Sequence, residues 1–271
     1  MEWELHRDAA GSAAHNMAKD EVCLARSRRH GRPALRLYGW ERFTLSVGRA
    51  QQVSRDIDLA ACRAAQVPLV RRPTGGRAVL HGSDLTYAVT APTALPGFGG
   101  GILPIYRVLS GVFGRFLAGL GHTPQVKAYT GRQRADLASA ICFATPSAFE
   151  ILVDGRKLVG SAQRQVAGAF LQHGSLPLAP QWGLLARLFK GASEAELREK
   201  ITDLETLGGR PVDEADLRER LLRAFAEELD VRFVPAAWDE ADEAALQALL
   251  PHYAPLEAEA AGPLPAAKGD G

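Results

Sequence analysis

No sign of charge dominates this chain: 32 Lys and Arg stand against 31 Asp and Glu, a formal net charge of +1. A nucleic-acid binder carries a clear basic excess, so that class is set aside. Cysteine is scarce. Cys23, Cys62 and Cys142 make an odd count without a CxxC pair, which gives neither a disulfide framework nor a zinc site, and no metal is expected. Long apolar runs are missing: the longest apolar-patterned stretch, residues 103–120, is broken by Arg107 and Arg115 and falls short of a bilayer span. The opening residues lack a basic region followed by an apolar core, so no secretory signal is expected and the chain is expected in the cytoplasm, with no membrane partner. Neither a GxGxxG after the first strand nor a GxxxxGK[ST] occurs, which excludes a dinucleotide-binding domain and a P-loop nucleotidase.

What is present is 271 residues with 46% hydrophobic content, enough for one globular domain with an appendage or for two small domains. The patterning predicts a helix over 13–29, strands over 34–40 and 43–47, a short helix over 56–65, and short strands over 68–72 and 78–81. A further strand over 84–90 alternates Leu85, Tyr87 and Val89. Apolar positions from Ile105 to Leu120 recur at helical spacing. Residues 130–140 are polar and irregular and read as a loop. Residues 148–153 and 157–166 flank Asp154-Gly155, a strong two-residue hairpin signal, and a strand over 169–178 follows. Beyond Pro180 the chain turns helical and charged, with a late strand at 231–234. The expected organisation is a core over 1–180, a helical part over 181–253 packed on the same domain, and a disordered tail over 254–271, rich in Ala, Glu, Pro and Gly. Hairpins dominate, so the fold class is α+β with a mostly antiparallel or mixed sheet flanked by helices. Arg26, Arg28, Arg29, Arg32 and Arg36 form one basic run, read as a solvated helix end and turn or as a docking patch for an acidic partner.

Four stretches carry chemistry. In Arg71-Arg72-Pro73-Thr74-Gly75-Gly76-Arg77, followed by His81, the glycine pair lets backbone approach a ligand and frees N–H groups for an oxyanion, with arginines on either side. Cys142 sits between a polar loop and a strand. As a thiolate it is a nucleophile and an acyl carrier, provided a cation or base lies close. A buried structural cysteine is the competing reading, and Cys23 and Cys62, set in helical patterns, are read that way. Lys157 stands just past the hairpin turn, with alternation predicting that it shares a face with Val159. Gly160, Ser161 and Ala162 beside it leave room for an apolar chain on the sheet. His173, before Gly174, reads as structural, with a pocket wall as the alternative.

Together the run from Arg71 to His81, then Asp84-Leu85-Thr86-Tyr87, then Gly155-Arg156-Lys157-Leu158-Val159-Gly160-Ser161-Ala162-Gln163 resembles the lipoate-ligase-like acyltransferases, a family related in fold to biotin protein ligase. Cys142-Phe143 with Pro146-Ser147 and Phe149-Glu150 resembles its octanoyltransferase branch, whose members carry a nucleophilic cysteine there. The resemblance implies Cys142 and Lys157 as catalytic residues. Acyl or donor binding falls to Arg72, Thr74, Gly75, Gly76, His81, Gly160, Ser161 and Ala162. It also implies octanoyl-acyl carrier protein as donor, with no other cofactor. The implied acceptor is a lysine of a lipoyl domain, on the glycine cleavage H protein or a 2-oxoacid dehydrogenase E2 subunit. Three alternatives stay open: an ATP-dependent lipoate–protein ligase, an amidotransferase between lipoyl proteins, and a catalytically silent acyl-binding protein.

Overall fold

Period-two alternation on the strands decides how the layers stack. On β2 (Ala34–Trp40), Leu35 and Leu37 face one side while Arg36, Tyr38 and Trp40 face the other. On β6 (Asp84–Pro92), Leu85, Tyr87, Val89 and Ala91 join the first side, and Asp84, Thr86 and Ala88 the second. The computed structural model describes residues 1–128 and 149–256. The predicted loop at 130–140, Cys142, and the chain from 257 onward lie outside the described residues.

Among the described residues the main sheet has eight strands in the order β11-β1-β2-β6-β10-β9-β8-β7. They are β1 (Glu2–Gly11), β2, β6, β7 (Gln125–Ala128), β8 (Phe149–Val153), β9 (Arg156–Val166), β10 (Ala169–Pro177) and β11 (Arg232–Pro235). β1 runs parallel to both β2 and β11, and the other pairings are antiparallel, so the sheet is mixed. A second sheet, β4-β3-β5, is built from β3 (Thr44–Val47), β4 (Leu69–Arg71) and β5 (Val79–His81). The α+β expectation holds.

One face of the main sheet is covered by α4 (Ile102–Gly119) and α8 (Glu214–Leu229), which bury Leu109, Phe113, Phe116, Leu221 and Phe225 against Tyr87 and Phe170. Each such side chain removed from water contributes about 1.5–3 kcal/mol. By length and composition α4 reaches the lower limit of a membrane-crossing helix, which the sequence pattern placed short of that length; its apolar side is spent on this core. The opposite face carries α1 (Ala13–His30) and α9 (Glu240–Leu249), with Met17, Val22 and Leu246 buried. The small sheet rests on α5 (Trp182–Leu188) and α6 (Glu194–Lys200), through Leu45, Val47, Leu185, Leu188 and Leu197.

Several local expectations change. The helix predicted over 56–65 is two: α2 (Val53–Asp56) and α3 (Leu59–Ala64), parted because Ile57 is extended and the Asp58 carboxylate caps the second by accepting from Ala61 N–H. β1, β7 and α7 (Leu204–Gly208) have no counterpart in the sequence reading. The basic run is not one solvated surface. Arg28 and Arg32 are exposed, but Arg36 is 2% exposed and Arg26 is buried. Arg36 donates to Asp8 at 2.6 Å and Asp20 at 2.7 Å, and Arg26 pairs with Glu4 and Asp242. An inward strand position and facing carboxylates decide this, and neither shows in a local charge count.

His6 on β1 is buried, and its Nδ1 accepts from the Trp238 indole N–H at 3.0 Å. Burial, opposed by Asp8 and helped by Arg36, pushes the imidazole down to about 4. A lowered folded value means that the unfolded chain binds the proton more readily between about pH 6.5 and 4, so this contribution is present above pH 6.5 and lost as pH falls towards 4. Wild type should lose roughly 2–3 kcal/mol more stability than His6→Gln between pH 7 and pH 4.5, since the imidazole falls from 6.5 to about 4 and each pH unit of that fall is worth about 1.36 kcal/mol. Urea midpoints at the two pH values measure it; equal losses in both proteins would remove His6 from the account.

Candidate active site

Between the α1-covered face of the main sheet and the small sheet lies a cavity of about 130 Å³. The main sheet and α1 contribute Met17, Tyr38, Trp40, Thr86, His173 and Ser175 to its wall; the small sheet and its loop contribute Ser46, Arg72, Gly76, Arg77, Val79 and His81. Lys157, Gly160, Ser161 and Ala162 of β9 complete it. The structure thus brings together Arg72, Gly76, His81, Lys157, Gly160, Ser161 and Ala162, which lie up to 90 residues apart in the chain. Thr74 and Gly75 are in the adjoining loop but off the wall.

Lys157 is 2% exposed, and its Nζ donates to Glu150 Oε1 at 2.7 Å. It is no solvated hairpin lysine. The hairpin turn has both central residues at positive φ, Asp154 at 51° and Gly155 at 74°, as a two-residue turn with matching twist requires. The predicted shared face of Lys157 and Val159 is not found. Ile151 pairs with Val159 and Leu152 with Lys157, so Leu158 is an extra residue. This bulge sends Val159 into the apolar core while Lys157 lines the cavity.

The arginines hold the Gly-Gly loop. Arg72 donates to the carbonyls of Ser46 at 3.0 Å, Gly75 at 2.6 Å and Arg77 at 2.7 Å. Arg71 donates to Gly48 O at 2.9 Å and Gln51 O at 3.0 Å, and Arg77 pairs with Asp56 at 3.0 Å. Gly76 adopts φ 87°, in the left-handed region that only glycine occupies cheaply.

Two histidines face each other from opposite walls, each with a buried aspartate behind it. His173 Nδ1 is 2.7 Å from Asp20 Oδ2, and its Nε2 is 2.6 Å from Thr74 Oγ1. Burial holds the His173 imidazole below its ordinary range, against the pull of Asp20. His173 is therefore both structural and part of the wall. On the other side His81 Nδ1 is 2.8 Å from Asp84 Oδ2, and Nε2 is 2.8 Å from Ser46 Oγ. The Trp40 ring stacks on His81 at 4.2 Å and 15°. Burial pushes the Asp84 carboxyl up, but His81, Ser175 and Gly82 N–H outweigh it, so it lies below the usual range. Tyr38, Trp40, Ser46 and Ser175 carry no motif and went unnoticed; only strand alternation, read together with the topology, points to them.

Among the described residues no group of three or more His, Cys, Asp or Glu is arranged to hold a metal ion. Cys142 lies outside the described residues. Burial pushes the Cys23 thiol up to about 12 and the Cys62 thiol up to about 11, so both behave as small hydrophobes.

Comparison with known proteins decides the family. The lipoyl protein ligase A/B catalytic domain matches residues 12–226. The chain belongs to this family. Within it, the chain is 39% identical over 262 residues to the octanoyltransferase LipM of Kyrpidia tusciae, covering 93% of this chain and 96% of that protein. Among solved lipoyl-ligase folds, lipoate-protein ligase A bound with ATP superposes with a TM-score of 0.78 at 22% identity, over 93% of this chain and 95% of that one. A bipartite lipoate protein ligase from Thermoplasma acidophilum, studied with its E2 lipoyl domain, gives 0.76 at 21% identity, over 93% and 92%. These two establish the fold alone, and it is the lipoate-ligase-like α+β fold expected.

Proposed function

We infer that the chain is an acyltransferase that moves an octanoyl group from a thioester donor to a lysine of a lipoyl domain in protein lipoylation. The observation that carries this is Lys157, an ammonium buried against Glu150 on the wall of a cavity flanked by the small residues Gly160, Ser161 and Ala162. The octanoyltransferase relative supports the choice of acyl group, and the ligase studied with its E2 lipoyl domain supports the class of acceptor.

The nucleophile assigned by this reading is Cys142, since burial disables Cys23 and Cys62. The thiolate attacks the donor carbonyl and holds the acyl group as a thioester; the acceptor amine then displaces it, splitting one hard transfer into two easier steps. Lys157 supplies positive charge to the developing oxyanion. The proposed donor is octanoyl-acyl carrier protein. Each methylene buried in the cavity contributes roughly 0.8 kcal/mol, which favours eight-carbon chains over much shorter ones.

Incubating the protein with octanoyl-acyl carrier protein, without ATP, should yield a hydroxylamine-sensitive octanoyl adduct in the intact mass, absent from Cys142→Ala. The likeness to an ATP-bound lipoate-protein ligase keeps one rival in play. Transfer from free acid that needs ATP and survives Cys142→Ala would replace the covalent reading with that of a ligase.

A further inference from the structure

We propose that Asp84, itself off the cavity wall, makes the transfer selective for plain hydrocarbon chains by drawing the hydrogen-bonding groups of the cavity floor away from the substrate. Asp84 is thus a positioning residue: it acts through the side chains that the acyl chain meets. The proposal rests on the acyltransferase reading above and deepens it, naming what keeps oxygenated acyl groups out.

The floor is one row of residues across neighbouring strands. Gly160 on β9 pairs with Ser175 on β10, Ser175 with Thr86 on β6, and Thr86 with Tyr38 on β2. Each member of the row lines the cavity. Two interstrand steps of about 4.8 Å carry the row about 10 Å from Gly160 to Thr86, the reach of an extended eight-carbon chain. A chain whose carbonyl lies by Lys157 and Gly160 therefore crosses Ser175 and ends over Thr86, with Tyr38 beyond it.

Two hydroxyls make a poor floor for hydrocarbon unless they are turned away, and Asp84 turns them. Its Oδ2 accepts from Ser175 Oγ at 2.7 Å and Thr86 Oγ1 at 2.8 Å, and its Oδ1 accepts from Gly82 N–H at 2.9 Å. Despite burial, bonds to this carboxyl hold it below its usual range, so it stays an acceptor. Thr86 Oγ1 also takes the Trp40 indole N–H at 2.9 Å, which occupies the hydroxyl from both sides. The rest of the wall follows suit: Ser161 Oγ meets Tyr87 OH at 2.8 Å, Ser46 Oγ meets His81 Nε2 at 2.8 Å, and Tyr38 OH donates to Asp20 at 3.1 Å. A hydroxyl carried in on an acyl chain would leave water and find these partners taken. Asp84→Asn reverses the arrangement. Gly82 N–H is a backbone donor that cannot turn, so the amide oxygen stays with it and the NH₂ faces Ser175 and Thr86. Both hydroxyls then accept, and their hydrogens swing towards the cavity. Thr86→Ala is the more telling change. It deletes a hydroxyl from the floor, yet it uncovers Asp84 Oδ2 and the Trp40 indole N–H to the end of the chain.

The test compares two donors of equal length, acyl carrier protein loaded with octanoyl or with 7-hydroxyheptanoyl, in which a hydroxyl replaces the terminal methyl. Transfer to an apo lipoyl domain is measured for full-length wild type, Asp84→Asn, Thr86→Ala and Thr86→Ser. The readout is kcat/KM for octanoyl divided by that for 7-hydroxyheptanoyl, in which any general loss of folded or active protein cancels. Wild type should give a ratio of about 10², the usual rejection of a hydroxyl isostere by an apolar pocket. The ratio should fall about tenfold in Asp84→Asn and Thr86→Ala and stay near wild type in Thr86→Ser, which keeps the hydroxyl and loses only the methyl. A wild-type ratio near one overturns the proposal, as does a ratio that holds or rises in Asp84→Asn or Thr86→Ala, or one that falls equally in Thr86→Ser. If Asp84→Asn does not fold, the two Thr86 variants decide alone. Absence of octanoyl transfer by wild type would instead strike the acyltransferase reading.

Discussion

Lys157→Met should lose octanoyl transfer almost completely and lower the unfolding free energy at the same time. The lysine and Glu150 are both buried, with side-chain exposures of 3% and 6%, and meet at 2.7 Å. Removing one partner of a buried ion pair leaves the other charge in the interior, at a cost of about 3–5 kcal/mol. Replacing both charges with apolar groups of similar size is close to neutral, so Lys157→Met/Glu150→Leu should recover most of the stability. It should not recover transfer: loss of one oxyanion-stabilising donor costs about 10²–10³ in rate, and the double variant still lacks it. Urea unfolding and single-turnover transfer separate the two effects. If the double variant regained activity along with stability, Lys157 would be a structural group only.

The second large effect is expected at Gly48→Ala. A Cβ there would lie 1.9 Å from Gly76 O and 2.8 Å from Gly76 C, backbone atoms that cannot turn aside as a side chain does. The two segments are clamped: Arg49 N–H donates to Thr74 O at 2.9 Å, and Arg71 grips Gly48 O. The methyl therefore has to push the whole Gly75-Gly76 turn outward. Overpacking of this kind costs about 1–3 kcal/mol, while a displacement near 1 Å at a reacting site costs about 10²-fold in rate. Transfer should fall by that order with a modest loss of stability. Gly75 offers the contrast, since a Cβ there meets nothing within 4 Å, and Gly75→Ala should not lower the unfolding midpoint. A Gly48→Ala protein with wild-type kinetics would mean that the turn has slack which these contacts do not reveal.

These two glycines show where reading the chain alone stops. Gly75-Gly76 stands out as a motif, yet the tightest approach belongs to Gly48, whose neighbour is 28 residues away and met only once β3 and β4 align. The hairpin at Asp154-Gly155, the helix of Ile105 to Leu117 and the alternation of Leu85, Tyr87 and Val89 were legible because each is written in local spacing. β1 was not: its buried positions, Trp3, Glu4 and His6, with Leu5 half-buried among them, follow no clean alternation. Lys157 and the Gly160-Ser161-Ala162 run were found from their own residues and meet in one cavity. The Leu158 bulge, the Glu150 partner and the Ser46–His81–Asp84 set depend on register between strands, which no single segment encodes. Arg36 was misjudged for the same reason: its partners Asp8 and Asp20 sit on β1 and α1, and only the packed layers make its position interior.

The register that pairs Glu2 with Arg232 also bears on how the protein comes into being. Partners 230 positions apart are brought together at a high entropic cost before their contacts give anything back, and such topologies fold slowly. A ribosome has to release the 230 residues that separate these partners before β11 can dock. Until then the outer side of β1 is an unpaired strand edge, the kind of surface on which nascent chains stick to one another. Expression at reduced temperature, or with holdase chaperones raised, should therefore improve recovery of native enzyme more than any change made around the cavity.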